Sequence, residues 1–151
     1  MDDNRGKITY RERAKKIRDF SGLIYANKIT PTDIDLYIDF GNKAFVYGEL
    51  KVEGTDLPFG QQLALEREHN NALLAGKRAI IIIGSHNTPC HIDIDVATCK
   101  VEKYRTGKEW KTINCNIKQL IDKFLFKINL SEYIMKNETD GIVDWALKNI
   151  N

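Results

Sequence analysis

Three charged side chains between residues 33 and 51 have the types and spacing that hydrolysis of a phosphate ester requires. Asp35 lies in a stretch of alternating polar and apolar residues, and Glu49 and Lys51 lie two residues apart in the next such stretch. Two carboxylates can hold Mg²⁺, which takes a few carboxylate oxygens together with water and phosphate oxygens. A neighbouring lysine can orient the attacking water and counter charge that builds on the phosphate.

The two stretches are predicted to form a β-hairpin. Residues 33–40 and 44–51 alternate as half-buried strands do, and residues 41–43 (Gly-Asn-Lys) are typical of a turn. A two-residue loop would mix the two faces, so the pattern favours a three-residue loop. That register gathers the apolar partners on one face, opposing Phe40 with Ala44, Ile38 with Val46 and Ile34 with Leu50. On the other face it opposes Asp35 with Glu49, and Asp33 with Lys51.

Two interpretations of this polar face remain open. Like charges directly opposed across a sheet are unfavourable unless something neutralises them, and a divalent cation between Asp35 and Glu49 would do so. Alternatively, the face is simply exposed to solvent, with Lys51 pairing Asp33, because polar alternation is common in half-buried sheets.

The rest of the chain predicts a single α/β domain with a mixed sheet flanked by helices. Asp56 is a candidate N-cap for a helix with Pro58 in its first turn, which ends near Gly76. The apolar run 78–84 is typical of a strand that is covered on both faces. The remaining elements are a helix at 9–19, an extended segment at 22–27, a hairpin of residues 91–104 and 109–114, and helices at 117–128 and 142–149.

Composition and charge narrow the function classes. Residues 1–28 carry eight Lys/Arg against four Asp/Glu, residues 29–99 carry five against ten, and residues 100–127 carry eight against three. Basic flanks around an acidic centre suit a protein that grips a polyanion and holds cations at the point of chemistry. The three cysteines have neither zinc-site nor disulfide-framework spacing. With no signal peptide or membrane-spanning run, we expect a cytoplasmic protein.

The segment P-T-D-I-D-L-Y-I-D-F (residues 31–40), followed by V-Y-G-E-L-K (residues 46–51), resembles the PD-(D/E)xK nuclease signature. There an aspartate begins one strand and E-x-K ends the next. The predicted element order is similar to the restriction-endonuclease-like core (α-β-β-β-α-β) over residues 9–84, with an extension at 85–151. Within that superfamily, the chain resembles phage- and archaeal-type Holliday-junction resolvases and related small phage nucleases. Here the proline-aspartate pair is relaxed to Pro31-Thr32-Asp33.

The resemblance implies roles for individual residues. Asp35 and Glu49 would be ligands of Mg²⁺ or Mn²⁺ together with the backbone carbonyl of Leu50, and Lys51 would be the catalytic lysine. Asp33 is the rival for the leading aspartate. Two further positions are implied: Glu12 on the first helix as a possible additional metal ligand, and a glutamine after E-x-K, either Gln61 or Gln62.

Basic residues are candidates for contacts with DNA. They are Arg11 and Lys15 near the amino terminus and Lys103, Arg105 and Lys108 in the predicted second hairpin. Tyr104 and Trp110 are interleaved with the latter, which suits backbone contacts and stacking on unpaired bases. An amphipathic hairpin that covers the sheet explains the same pattern equally well.

The function implied is a metal-dependent DNA endonuclease that acts on branched or structured DNA, in a bacterial host cell if the chain is phage-encoded. The resemblance also implies a homodimer, for which the segments around Phe124, Phe126 and Trp145 could supply an interface or could be core. One alternative is a non-catalytic nucleic-acid-binding module. The other is a restriction- or repair-type nuclease that cuts linear DNA, although no target-recognition domain is evident.

Overall fold

The computed structural model describes residues 6–135, and these fall into two compact units that divide between Asp33 and Ile34. The helix predicted at 142–149 and the side chain of Trp145 lie outside the described residues. All four of the principal site candidates, Asp35, Glu49, Lys51 and Gln61, belong to the second unit.

The first unit has less regular structure than its sequence predicts. A helix is expected at 9–19, but α1 spans only Arg11–Ala14. The extended segment expected at 22–27 is instead part of two 3₁₀ turns, Ser21–Leu23 and Ala26–Lys28, with Asn27 at φ 61°. The described residues of this unit are exposed, so the helix lacks a buried apolar face, and helices this short are marginal without one.

The second unit is α/β, with a mixed five-stranded sheet flanked by helices, as predicted. Its strands follow one another in chain order across the sheet, and only β2 and β3 are parallel. The helix α2 (Phe59–Leu74) connects these two, because parallel neighbours need a crossover. The strands are β1 (Leu36–Phe40), β2 (Ala44–Val52), β3 (Arg78–His86), β4 (Lys100–Arg105) and β5 (Trp110–Lys111), and α3 (Ile117–Lys127) follows.

The β1–β2 hairpin has the predicted three-residue loop. Phe40 pairs with Ala44 and Ile38 with Val46. Gly41 and Asn42 both have φ of 59°, the positive values that tight hairpin turns need. The ladder ends at Leu36 opposite Gly48, so β1 is shorter than the predicted strand 33–40. The predicted pairs Asp35–Glu49, Ile34–Leu50 and Asp33–Lys51 are therefore not part of the ladder.

The central strand β3 is covered on both faces, as its apolar run predicts. Ile80 and Ile82 pack in one core cluster with the apolar face of α3. Ile81 and Ile83 pack in a second cluster with Tyr47 and with Leu65 of α2. Tyr47 and Glu49 are successive residues on the α2-facing side of β2, so the candidate site lies on that face of the sheet.

The helix ends differ in part from the sequence prediction. The sequence predicts Asp56 as the N-cap of α2, but Pro58 occupies that position and provides no side-chain cap. The other end is as predicted: Gly76 has φ 79°, and the bonds from Gly76 N–H to Leu73 O and from Lys77 N–H to Ala72 O form a Schellman motif. The predicted strand 91–104 begins only at Lys100, after a 3₁₀ turn, because residues 91–95 are exposed loop.

Two further sequence-level expectations concern membranes and thiols. Within residues 6–135, no helix combines the length and apolar character needed to cross a membrane. The three cysteines are free, Cys99 and Cys115 inside the protein and Cys90 exposed. Burial raises the pKa of the Cys99 and Cys115 thiols, which suits structural rather than reactive groups.

Candidate active site

Glu49, Lys51 and Gln61 form a closed hydrogen-bonded triangle between β2 and the first turn of α2. The Lys51 ammonium donates to Glu49 Oε1 and to Gln61 Oε1, each at 3.0 Å. The Gln61 side-chain amide donates to the same Glu49 oxygen at 2.7 Å. Each side chain therefore fixes the position of the other two, and of the two candidate glutamines it is Gln61 that joins the charged pair.

Burial strengthens this arrangement. The Glu49 side chain is 2% exposed and Lys51 is 22% exposed, with their charged atoms 3.0 Å apart. Ion pairs gain strength as the local dielectric constant falls. Removing one partner of a buried pair leaves the other charge without compensation, which lowers stability by about 3–5 kcal/mol. The pair is therefore held rigidly, and it is open to solvent only on the lysine side.

Asp35 lies beside this triangle, on the opposite edge of β2. Its Oδ2 accepts a 2.8 Å hydrogen bond from the backbone N–H of Leu50. In a strand, the N–H and C=O of one residue point towards the same neighbouring strand. Since the β1–β2 ladder ends at Leu36 opposite Gly48, the Leu50 carbonyl extends past the ladder on the side where Asp35 lies.

The donor set here fits a hard divalent cation. Asp35, bonded to the Leu50 N–H, and Glu49, the residue before Leu50, would supply two carboxylates, with the Leu50 carbonyl as a third oxygen donor. Among residues 6–135, no three His, Cys, Asp or Glu side chains are grouped so as to hold a metal ion. Mg²⁺ usually takes only one or two carboxylates from the protein and completes its shell with water and phosphate oxygens, so a two-carboxylate site suits it better than it suits zinc.

Gln62, the other candidate glutamine, belongs to a separate polar layer between α2 and the second hairpin. It accepts a 2.9 Å hydrogen bond from Lys103 and donates to Glu66 at 3.1 Å. The Trp110 indole also donates to Glu66, at 2.7 Å, and this bond lowers the pKa of the carboxyl. The Lys103 ammonium lies 4.6 Å from the centre of the Trp110 ring.

Arg105, a candidate DNA contact, is buried in the same layer. Its guanidinium donates to the Asn70 side chain and to the Lys108 carbonyl, each at 3.2 Å. The Lys108 side chain is exposed, and Lys103 is half-buried. Tyr104 and Trp110 are partly buried against the two core clusters. β4 and β5 continue the five-stranded sheet at its edge, so the hairpin does not cover the sheet as one of the two interpretations predicts.

The remaining candidates lie in the first unit. Asp33 is an exposed residue outside any strand. Glu12 and Lys15 are exposed and face each other across one helical turn, with charged atoms 3.7 Å apart. Arg11 opens α1 and is also exposed.

A cavity of about 500 Å³ adjoins the triangle at Lys51. Its walls come from the turn after β2, the ends of β3 and β4, and Thr112 after β5. Its charged lining residues are Lys51, Lys100, Lys103, Glu53, Asp56 and Glu102.

Two residues in this cavity have no counterpart among the sequence predictions. Ser85 donates a hydrogen bond to Glu102 across the β3–β4 pair. Ile83 pairs with Lys103 but Gly84 pairs with Val101, so Glu102 is an extra residue that forms a bulge. The only sequence signal was the polar Ser85 directly after the apolar run, and it did not identify a partner.

Comparisons with protein-family models, with curated proteins and with solved structures found no match to this chain.

Proposed function

We propose that this protein is a Mg²⁺- or Mn²⁺-dependent DNA endonuclease with a restriction-endonuclease-like fold, acting on branched or otherwise structured DNA. The observation that carries the proposal is the meeting of Asp35, Glu49, Lys51 and Gln61 at one end of β2. A buried carboxylate bonded to a lysine, with a second carboxylate held by the backbone N–H of the residue between them, is a costly arrangement for a purely structural face.

Each residue has a chemical task in this proposal. Asp35, Glu49 and the Leu50 carbonyl would hold the divalent ion, which when bound lowers the pKa of water and stabilises charge on the phosphate. The Lys51 ammonium, fixed by Glu49 and Gln61, counters negative charge that develops on the phosphoryl oxygens as the P–O bond breaks. Gln61 is a positioning residue, because it contacts Lys51 and Glu49 and keeps both in place.

DNA is the substrate class that the charge distribution favours. Exposed or half-exposed lysines occur around the cavity next to Lys51, and residues 100–127 carry a net positive charge. Lysines bind phosphates whatever the base sequence, and their contribution to DNA affinity falls as the salt concentration rises. We propose Lys103 and Lys108 as backbone contacts, with Arg11 and Lys15 as further candidates. Arg105 instead holds the hairpin onto α2. A homodimer, one active site per strand, is part of the same proposal.

The test is cleavage of a labelled four-way junction, a matched linear duplex and a single strand, each with Mg²⁺, Mn²⁺ or EDTA. Wild type is compared with Lys51→Ala and with Lys77→Ala, which removes the same charge outside the triangle. Metal-dependent nicking of the junction that is lost only in Lys51→Ala would support the proposal. Equal cutting of all three substrates would favour a nuclease for linear DNA, and salt-sensitive binding without cutting would favour a binding module.

A further inference from the structure

We propose that the cavity beside Lys51 binds one unpaired nucleotide of the DNA strand, next to the phosphate that is cut. The inference rests on the proposed function and narrows its substrate to DNA with at least one nucleotide outside the duplex. The cavity volume of about 500 Å³ lies within the roughly 300–1,000 Å³ range of sites that enclose small molecules.

The bulge in β4 brings two charged side chains to the same face of the sheet, at the cavity. Successive side chains along a regular strand point to opposite faces of the sheet. In a regular strand, the side chains of Glu102 and Lys103 would therefore lie on opposite faces. The shift between Ile83 and Gly84 makes Glu102 an extra residue, and both side chains reach the α2-facing side of the sheet. Bulges are common next to active sites, where they redirect a side chain.

The charges lining the cavity suit the two ends of a nucleotide. The ammonium groups of Lys51, Lys100 and Lys103 are attracted to phosphate. Glu102, which accepts from Ser85 and has its side chain 42% exposed, can accept a hydrogen bond from an exocyclic amino group of a base. An anion alone would meet three lining carboxylates, Glu53, Asp56 and Glu102, which argues against a simple phosphate site.

The apolar part of the lining fits the base and sugar. Val52, Leu57 and Ile83 contribute to the cavity between the polar residues. A base that is paired and stacked in a duplex cannot enter such a cavity, whereas an unpaired base enters at little cost. A nucleotide held here would place its own phosphate within reach of Lys51, which lines the same cavity.

The inference is tested by binding in EDTA, so that no cleavage is needed. The probes are a fluorescent duplex with one bulged cytosine and the same duplex fully paired, measured by anisotropy. We expect wild type to bind the bulged duplex about ten-fold more tightly, the gain from roughly one charge-assisted hydrogen bond. A Thr55→Leu/Thr112→Leu double variant, at two exposed cavity residues, should reduce the ratio to near one. Thr98→Leu, at an exposed threonine that does not line the cavity, should leave it unchanged.

Equal affinity for both duplexes in wild type would overturn the inference, as would a ratio that survives in the double variant. Deoxycytidine monophosphate that competes as strongly as the bulged duplex binds would also overturn it, since the occupant would then be a free nucleotide. The two proposals can fail separately. If wild type binds the bulged duplex more tightly but cuts no DNA in Mg²⁺, the nucleotide site is retained and the nuclease proposal is rejected. If wild type cuts DNA but binds both duplexes equally, the nuclease proposal is retained and the nucleotide site is rejected.

Discussion

Oδ2 of Asp35 accepts a 2.8 Å hydrogen bond from the backbone N–H of Leu50, the residue between Glu49 and Lys51. A side chain thus takes the place of the next ladder partner, and β1 pairs with β2 only from Leu36 onward. The same bond fixes a carboxylate beside the Leu50 carbonyl. The Asp35 carboxylate therefore lies at the point where the hairpin ladder stops, against the backbone of the residue that follows Glu49.

Under the proposed function, this relationship predicts that Asp35, and not Asp33, is the metal ligand. Asp35→Asn retains an oxygen that can accept from Leu50 N–H but removes the charge that a divalent cation requires. We expect metal-dependent cleavage to fall by at least about 100-fold, with the melting temperature nearly unchanged. Asp33→Asn is the matched control and should change the rate by less than about three-fold, because surface substitutions are usually small in effect. A large loss in Asp33→Asn with normal activity in Asp35→Asn would reverse the assignment.

The Gln61 side chain provides a test of positioning that is independent of the metal. Gln61→Ala removes its hydrogen bonds to Lys51 and Glu49, and Gln62→Ala removes those to Lys103 and Glu66. Each substitution should lower stability by a similar amount, about 1–3 kcal/mol. Only Gln61→Ala should also lower the cleavage rate, about ten- to 100-fold, since it frees the charged pair.

Urea unfolding measures the loss of stability in Gln61→Ala and Gln62→Ala, and single-turnover cleavage measures the cleavage rate of each. Gln61→Asn should not restore the cleavage rate, because its shorter side chain cannot reach both Lys51 and Glu49. If Gln61→Ala and Gln62→Ala slow cleavage equally, the loss reflects general destabilisation and Gln61 is not a positioning residue.

Strong local patterns account for the parts of the fold that the sequence predicts well. The alternation on either side of Gly41-Asn42-Lys43 determines the hairpin register, and with it the placement of Glu49 and Lys51 on one face. The amphipathic pattern at 117–128 likewise predicts α3, which spans Ile117–Lys127. Such patterns specify structure because each apolar residue must be buried on the same side.

Long-range packing decides what the sequence could not predict. Gln61 and Gln62 are adjacent and chemically identical. Because successive helical residues are rotated by about 100°, Gln61 contacts the Glu49–Lys51 pair whereas Gln62 contacts Lys103. The bulge at Glu102 depends on pairing with β3, nearly twenty residues earlier. In the first unit, the charged pattern at 9–19 predicts a helix, but its exposed residues offer no packing to extend α1 beyond one turn.

The hairpin turn predicts an effect of one substitution on stability. Gly41 has φ 59°, and a Cβ added there would lie 2.5 Å from the Tyr133 hydroxyl. Gly41→Ala therefore carries both the cost of a left-handed conformation, about 1–2 kcal/mol, and a steric clash. Gly54 has φ 83°, and an added Cβ there has no neighbour within 4 Å among the described residues. Gly54→Ala is thus the control for the backbone cost alone.

Chemical denaturation should show Gly41→Ala to be less stable than Gly54→Ala by about 0.5–1.5 kcal/mol, the cost of displacing the Tyr133 side chain from its rotamer. Replacing Tyr133 by Phe in the Gly41→Ala background should recover part of the difference, because it removes the clashing hydroxyl. Equal stability of the two alanine variants would mean that Tyr133 does not pack over the turn as the structure has it.

His69 predicts a pH dependence of stability. Its ring is fully buried on α2, with Nε2 3.0 Å from the Ala79 carbonyl, and burial followed by the nearby Arg105 charge lowers its pKa below the usual 6.5. The folded state therefore favours the neutral ring, whereas the unfolded chain takes up a proton near pH 6.5. This contribution to stability is complete above that pH and is lost as the pH falls through 6.5 towards the lower folded value. Urea unfolding between about pH 8 and pH 5 should show a decline that His69→Gln reduces and that His91→Gln, at an exposed histidine, leaves in place. A decline of the same size in His69→Gln would assign the pH dependence to other groups.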